Sequence, residues 1–130
     1  MTGDAREDGI RARLADIGGD DPDPAERALV ARLLTSFATG TPAAVDELGE
    51  AMERGDAPDV QTRAHRLKGS AANLGAVTLA GLFAQVEERA RRGEPDDAGA
   101  LDRIRAEIAE LGPVLARLAD MSMGSPNNGR

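Results

Sequence analysis

The sequence contains no cysteine, no tryptophan and no tyrosine, and its only aromatic residues are Phe37 and Phe83. Without cysteine there is no disulfide, no thiolate metal site and no cysteine nucleophile. With so few aromatics the core has to come from Leu, Val, Ile and Ala, a palette that serves helix–helix packing better than a sheet. Positive charge is also short: 16 Lys and Arg against 23 Asp and Glu leave a net charge of −7. That balance argues against nucleic acid as the main partner, because phosphate-backbone binding needs a basic face. No apolar run approaches the roughly 20 residues of a membrane span. The opening Met1-Thr2-Gly3-Asp4 has neither the basic stretch nor the apolar centre of a signal peptide. The chain of 130 residues, 41 % apolar, therefore reads as one soluble, cytoplasmic, all-α domain without a membrane segment.

Helix starts and stops divide it. Residues 1–9 are polar and read as a flexible N-terminus, and Ile10, Leu14 and Ile17 then sit at helical spacing, giving a short leading helix over 10–17. Gly18-Gly19-Asp20-Asp21-Pro22 breaks it. Asp23-Pro24-Ala25-Glu26 is a capping box with proline at the first helical position, followed by a stripe of Leu29, Val30, Leu33, Leu34 and Phe37 that stops at Gly40. Thr41-Pro42 repeats the start signal for a segment carrying Val45, Leu48 and Met52 and ending at Gly55. Asp56-Ala57-Pro58 opens the next helix, whose buried stripe is Val60, Ala64, Leu67, Ala71 and Leu74; Asn73 and Gly75 mark its end. Leu79, Leu82, Phe83 and Val86 form another helix that runs out near Gly93. Pro95 and Asp96 open the last one, with Leu101, Ile104, Ile108, Leu111, Leu115 and Leu118 in register. Gly112-Pro113 should kink or break it. Residues 122–130 carry no core pattern and read as a disordered tail. The expectation is an antiparallel four-helix bundle over residues 10–121, with the leading helix as an appendage.

The chain has one histidine. With about 100° of rotation per residue, Gln61, Lys68, Gly69 and Ala72 fall within about 60° of His65, at the edge of the buried stripe. An imidazole is nucleophilic near neutral pH, and an ammonium one turn away offsets an anion attached to it. The small residues Gly69 and Ala72 leave room for another protein to approach. A lone histidine on a helix is more often an ordinary boundary residue, and a lysine beside it says little. Glycine inside a helix costs about 1 kcal/mol relative to alanine, so Gly69 calls for a reason.

The run from Ala64 to Ala76, AHRLKGSAANLGA, resembles the signature of histidine phosphotransfer (HPt) domains of multistep two-component phosphorelays, and the similarity extends over roughly residues 25–118. The resemblance implies that His65 is the phosphorylated residue, accepting the group on Nε2. It implies further that Lys68 steadies the phosphate and that Gly69, with Ala72 beside it, admits the docking receiver. Gln61 lies where a hydrogen-bonding side chain reaches the phosphate or ring, or is a solvated helix residue. Some relatives place a glutamine on the following helix opposite the histidine; here Glu87, Glu88 and Arg89 occupy that region, and any orienting partner is different or absent. Arg89 reads best as part of a solvated face.

The implied activity is phosphoryl exchange in trans with response-regulator receiver domains and a sensor (hybrid) histidine kinase, the receiver supplying the aspartate and the Mg²⁺. No phosphate-cradling loop follows a strand and no second histidine accompanies the scattered carboxylates, so the expectation is a carrier without a metal, cofactor, ATP site or kinase activity of its own. Nothing calls for an obligate dimer, so a monomer is expected. Two alternatives stand beside this reading. One is a helical adaptor that binds receivers without accepting phosphate, against which the presence of His65 and Lys68 weighs. The other is a segment of a larger kinase, against which Met1 and the lack of a kinase portion weigh.

Overall fold

The computed structural model describes residues 5–18, 23–94 and 98–122. Five helices make up the described chain: α1 (Ala5–Gly18), α2 (Pro24–Arg54), α3 (Ala57–Leu74), α4 (Val77–Arg91) and α5 (Ala98–Ser122). Helices α2 to α5 form the bundle, α3 packing on α2 and α4, and α5 closing the ring against both α2 and α4. Two-residue links, Gly55-Asp56 and Gly75-Ala76, force α2, α3 and α4 to run antiparallel. The core is aliphatic around one ring: Phe83 lies among Leu34, Val45, Leu48, Val60, Leu79, Val86, Ile104 and Leu111, all essentially without exposed surface.

Local chemistry accounts for the boundaries. At the start of α2 the amide of Glu26 donates to Asp23 Oδ1 (2.8 Å) and the amide of Asp23 donates to Glu26 Oε1 (2.9 Å), the reciprocal capping box, with Pro24 next to it. Asp56 caps α3 with a single bond, its Oδ1 accepting from the Asp59 amide at 3.1 Å. The stripe Val60, Ala64, Leu67, Ala71 and Leu74 is the buried face of α3. The starts and stops expected at Gly19–Pro22, at Pro95–Asp96 and in the tail from residue 123 lie outside the described residues.

Three expectations are corrected. Gly40-Thr41-Pro42 does not end a helix: α2 runs unbroken through Pro42, and α5 likewise through Pro113. An interior proline costs about 3 kcal/mol, but the apolar register crosses both sites without a phase change. Val30, Leu34, Thr41, Val45, Leu48 and Met52 stay on one buried face, as do Ile104, Leu111, Leu115 and Leu118. Pro42 and Pro113 face solvent, and so do Ala38 and Ala109, whose carbonyls lose their helical donor. Carbonyls on the wet side of a helix are hydrated, which softens the cost.

The third correction concerns α1, which begins at Ala5 rather than residue 10 and is no appendage. Ile10 is fully buried. Arg6 donates two bonds to the buried Glu107 carboxylate of α5, at 2.7 and 2.9 Å, and Glu7 takes Arg11 and Arg117. Arg13 Nε donates to the Asn73 carbonyl at the end of α3 (2.8 Å). Residues 5–9 looked flexible because their anchors are arginines and a glutamate with no apolar period. Gly9 lies against Gly75, which caps α3 at φ 86°, so close that a Cβ at Gly9 would stand 2.8 Å from the Gly75 carbonyl oxygen. Gly9→Ala is therefore expected to cost about 1–3 kcal/mol, read from the urea midpoint at unchanged m-value.

Helix α2, at 31 residues with an 18-residue window of mean hydropathy 1.2, is long and apolar enough to cross a membrane by length and composition. Polar residues interrupt its apolar ones throughout, so no continuous apolar run marks it in the sequence. In the fold this helix lays nine buried residues against its neighbours.

Candidate functional site

His65 follows Ala64 on α3, one position past the buried stripe, so its side chain points out along the flank facing α4; it is 66 % exposed. Across from it stands Glu87. On α4, Glu87 comes four residues after the core residue Phe83 and next to buried Val86, which puts its carboxylate inside the edge of the helix pair. It is 4 % exposed. A buried carboxylate must be paired, and three donors meet this one. Lys68 Nζ lies 2.6 Å from Oε1, His65 Nδ1 lies 2.9 Å from Oε2, and Arg91 Nη2 reaches Oε2 at 3.2 Å.

Burial works to raise the Glu87 pKa, but the hydrogen bonds and charges of Lys68 and His65 outweigh it and hold the carboxyl below the usual carboxylate range. An ionised carboxylate only accepts hydrogen bonds, so Nδ1 of His65 is the donor. In the neutral ring the proton then sits on Nδ1 and the lone pair on Nε2, at the far side of the ring from the carboxylate. The arrangement holds an imidazole in one tautomer and one orientation, with its nucleophilic nitrogen turned outward.

Lys68, named in the sequence reading, is brought into this cluster through Glu87. Gly69 is exposed on the open side of α3, where an added Cβ would meet nothing within 4 Å, and Ala72 is exposed two turns beyond His65. Gln61 is half-buried and makes no side-chain hydrogen bond among the described residues. Arg89 turns toward Glu94, 3.7 Å away. The residue that the sequence reading left without a role is Glu87. Its signal was a carboxylate on the apolar register of α4, at i+4 from Phe83. A groove of ≈ 520 Å³ between α1, α2 and α3, lined by Leu14, Leu33, Phe37 and Leu67 among others, lies on the other flank of α3 and includes none of the cluster. Among the described residues no three or more His, Asp or Glu side chains gather in a way that could hold a metal ion.

The profile of one protein family, described as Hpt domain, matches residues 32–112, a span that holds α3, α4 and most of α2 and α5. Comparisons with curated proteins and with solved structures find no match.

Proposed function

The chain belongs to the Hpt domain family, whose members act in phosphorelays by histidine phosphotransfer, and from that premise we propose that it carries a phosphoryl group on Nε2 of His65 between receiver domains or from a kinase to a receiver. The observation that carries this reading is the pairing of an exposed His65 with the buried, ionised Glu87 through Nδ1.

Nε2 of neutral His65 attacks the phosphorus of a receiver's aspartyl phosphate in line; the N–P bond forms as the P–O bond breaks, and the electron pair leaves on the aspartate carboxylate. Nδ1 keeps its proton, and the positive charge that the ring gains is held against Glu87. Lys68, one turn from His65, offsets the charge of the attached phosphoryl group. Onward transfer is the reverse, with the ring as leaving group. Mg²⁺ is supplied by the receiver, as are most of the groups around the phosphorus, and the chain acts as a carrier without its own kinase step. Gln61 supplies a further hydrogen bond to the phosphoryl group once it is attached. A monomer in the cytoplasm, working in trans with receivers and a sensor kinase, fits this role.

The test is transfer of label from a phosphorylated receiver with Mg²⁺ to this protein, which should yield acid-labile, base-stable phosphohistidine. A receiver that binds the protein yet transfers nothing to it leaves the adaptor reading in its place. Gly69 gives a second check. Because a Cβ there is unobstructed, Gly69→Ala should stabilise the protein by up to about 1 kcal/mol, seen as a higher Tm. Gly69→Gln should fold equally well yet slow transfer at least about tenfold by holding the receiver off the in-line geometry. Equal transfer rates for the Gln variant and the parent would remove Gly69 from the docking face.

A further inference from the structure

Helix α1 lies outside the residues 32–112 matched by the family profile, and it is held to the bundle differently from the other helices. Of its described side chains only Ile10 is fully buried; Leu14 is partly buried against the core. The remaining anchors are polar and tie it on two sides. Toward α5, Arg6 pairs with Glu107 and Glu7 with Arg117; toward α3, Arg13 reaches the Asn73 carbonyl. Glu107 stands on the buried register of α5, three residues after Ile104 and four before Leu111, and is 6 % exposed. A carboxylate in such a place is costly unless it is paired. Among the described residues its partner is Arg6, whose Nε and Nη2 hold both carboxylate oxygens at 2.7 and 2.9 Å. The attachment of α1 thus depends on one buried ion pair more than on apolar area.

We propose that α1 is an ion-latched strap, which opens from the bundle as a unit while α2 to α5 stay folded, and that the Arg6–Glu107 pair sets how often it opens. Segments with few buried apolar contacts open at lower free energy than the whole fold, and α1 has one fully buried side chain to hold it. Docked, it adds to the stability of the whole, so the open form is a minor state. Opening has a defined consequence. Arg13 and Leu14 are one wall of the ≈ 520 Å³ groove, whose other walls include Leu33 and Phe37 of α2 and Leu67 and Leu74 of α3. With α1 away, that apolar face lies open along the flank of the helix that carries His65. The cluster of His65, Lys68, Glu87 and Arg91 draws on α3 and α4 alone, so the strap alters the groove and leaves the cluster as it is. The inference stands whether or not His65 carries a phosphoryl group.

Native-state hydrogen exchange at several low urea concentrations, resolved by helix, compares the full chain with Arg6→Gln, Glu107→Gln and the double variant. In the parent the α1 amides should exchange faster than those of the buried stripe of α3. Their urea dependence should also be shallower, because opening the strap exposes little surface. Arg6→Gln leaves a buried carboxylate alone and should speed α1 exchange by about tenfold or more, the loss expected for a hydrogen-bonded charge. The double variant should be no faster than Arg6→Gln, since both changes break the same pair. Fluorescence of Nile red, a neutral apolar dye, should rise in Arg6→Gln, while the ring nitrogen-15 resonances of His65 keep their parent positions. Amides of α1 that share the rate and urea slope of the α3 core overturn the strap, because α1 then leaves only when the bundle unfolds. A parent-like α1 rate in both single variants overturns the latch, and a moved His65 resonance contradicts the separation of strap from cluster.

Discussion

A His65→Gln protein should take up no label from a phosphorylated receiver under conditions in which the parent is labelled within the same mixing time. His65 is the sole histidine, so no other imidazole can substitute, and the absence of cysteine removes a competing soft nucleophile. The loss should be of chemistry and not of folding. The side chain is 66 % exposed, substitutions at such positions change stability by about 0.5 kcal/mol or less, and a glutamine amide still donates to the Glu87 carboxylate. The variant should therefore bind the receiver as the parent does, with the same unfolding midpoint, while transfer is abolished. Label appearing on the variant would place the carrier on another side chain, and its stability in acid would identify an ester.

Replacing Glu87 should have the second largest effect. Glu87→Ala frees Nδ1 to exchange tautomers and releases Lys68, so transfer should fall by about 10- to 100-fold, the usual cost of removing a partner that orients an imidazole. Glu87→Gln separates orientation from charge, since its carbonyl oxygen still accepts from Nδ1 but no longer stabilises a positive ring; its rate should fall between the parent and the alanine variant. The pH dependence carries a matching sign. The folded-state pKa of Glu87 is lowered from the ordinary value of 4.5, so its ionised form stabilises the fold fully above that value. This contribution is lost as pH falls through the lower folded-state value. The stability difference between the parent and Glu87→Gln should accordingly shrink in acid below about pH 4.5, and denaturant titrations at pH 7 and pH 3 would measure it. A difference that grows in acid would mean that Glu87 is protonated in the folded protein.

Much of this arrangement is legible in the residues. The buried stripe of α3 follows from the spacing of Val60, Ala64, Leu67, Ala71 and Leu74 alone, and with it the outward position of His65 and the approach of Lys68. Capping boxes and glycine stops are short-range chemistry, and Asp23, Asp56, Gly55 and Gly75 act as their types require. What misled was local evidence overruled by tertiary packing. Thr41-Pro42 has the chemistry of a helix start, yet an apolar register in phase on both sides of it holds α2 together. Gly112-Pro113 is passed over in α5 for the same reason. The place of α1 depends on Arg6 meeting Glu107 and on Gly9 meeting Gly75, contacts across the length of the chain that leave no periodic trace. Glu87 escaped for a related reason. A charged residue between Val86 and Glu88 looks like part of a solvated face until the neighbouring helix supplies Lys68 and His65 to pair with it.

Nitrogen-15 NMR of the His65 ring, before and after phosphoryl transfer from a labelled receiver, reads the carrier atom directly. The expected result is a neutral ring protonated on Nδ1 and bare on Nε2, then phosphorus bonded to Nε2 with the Nδ1 proton retained against Glu87. Phosphorus on Nδ1, or a labelled protein whose ring nitrogens are unchanged, would contradict it.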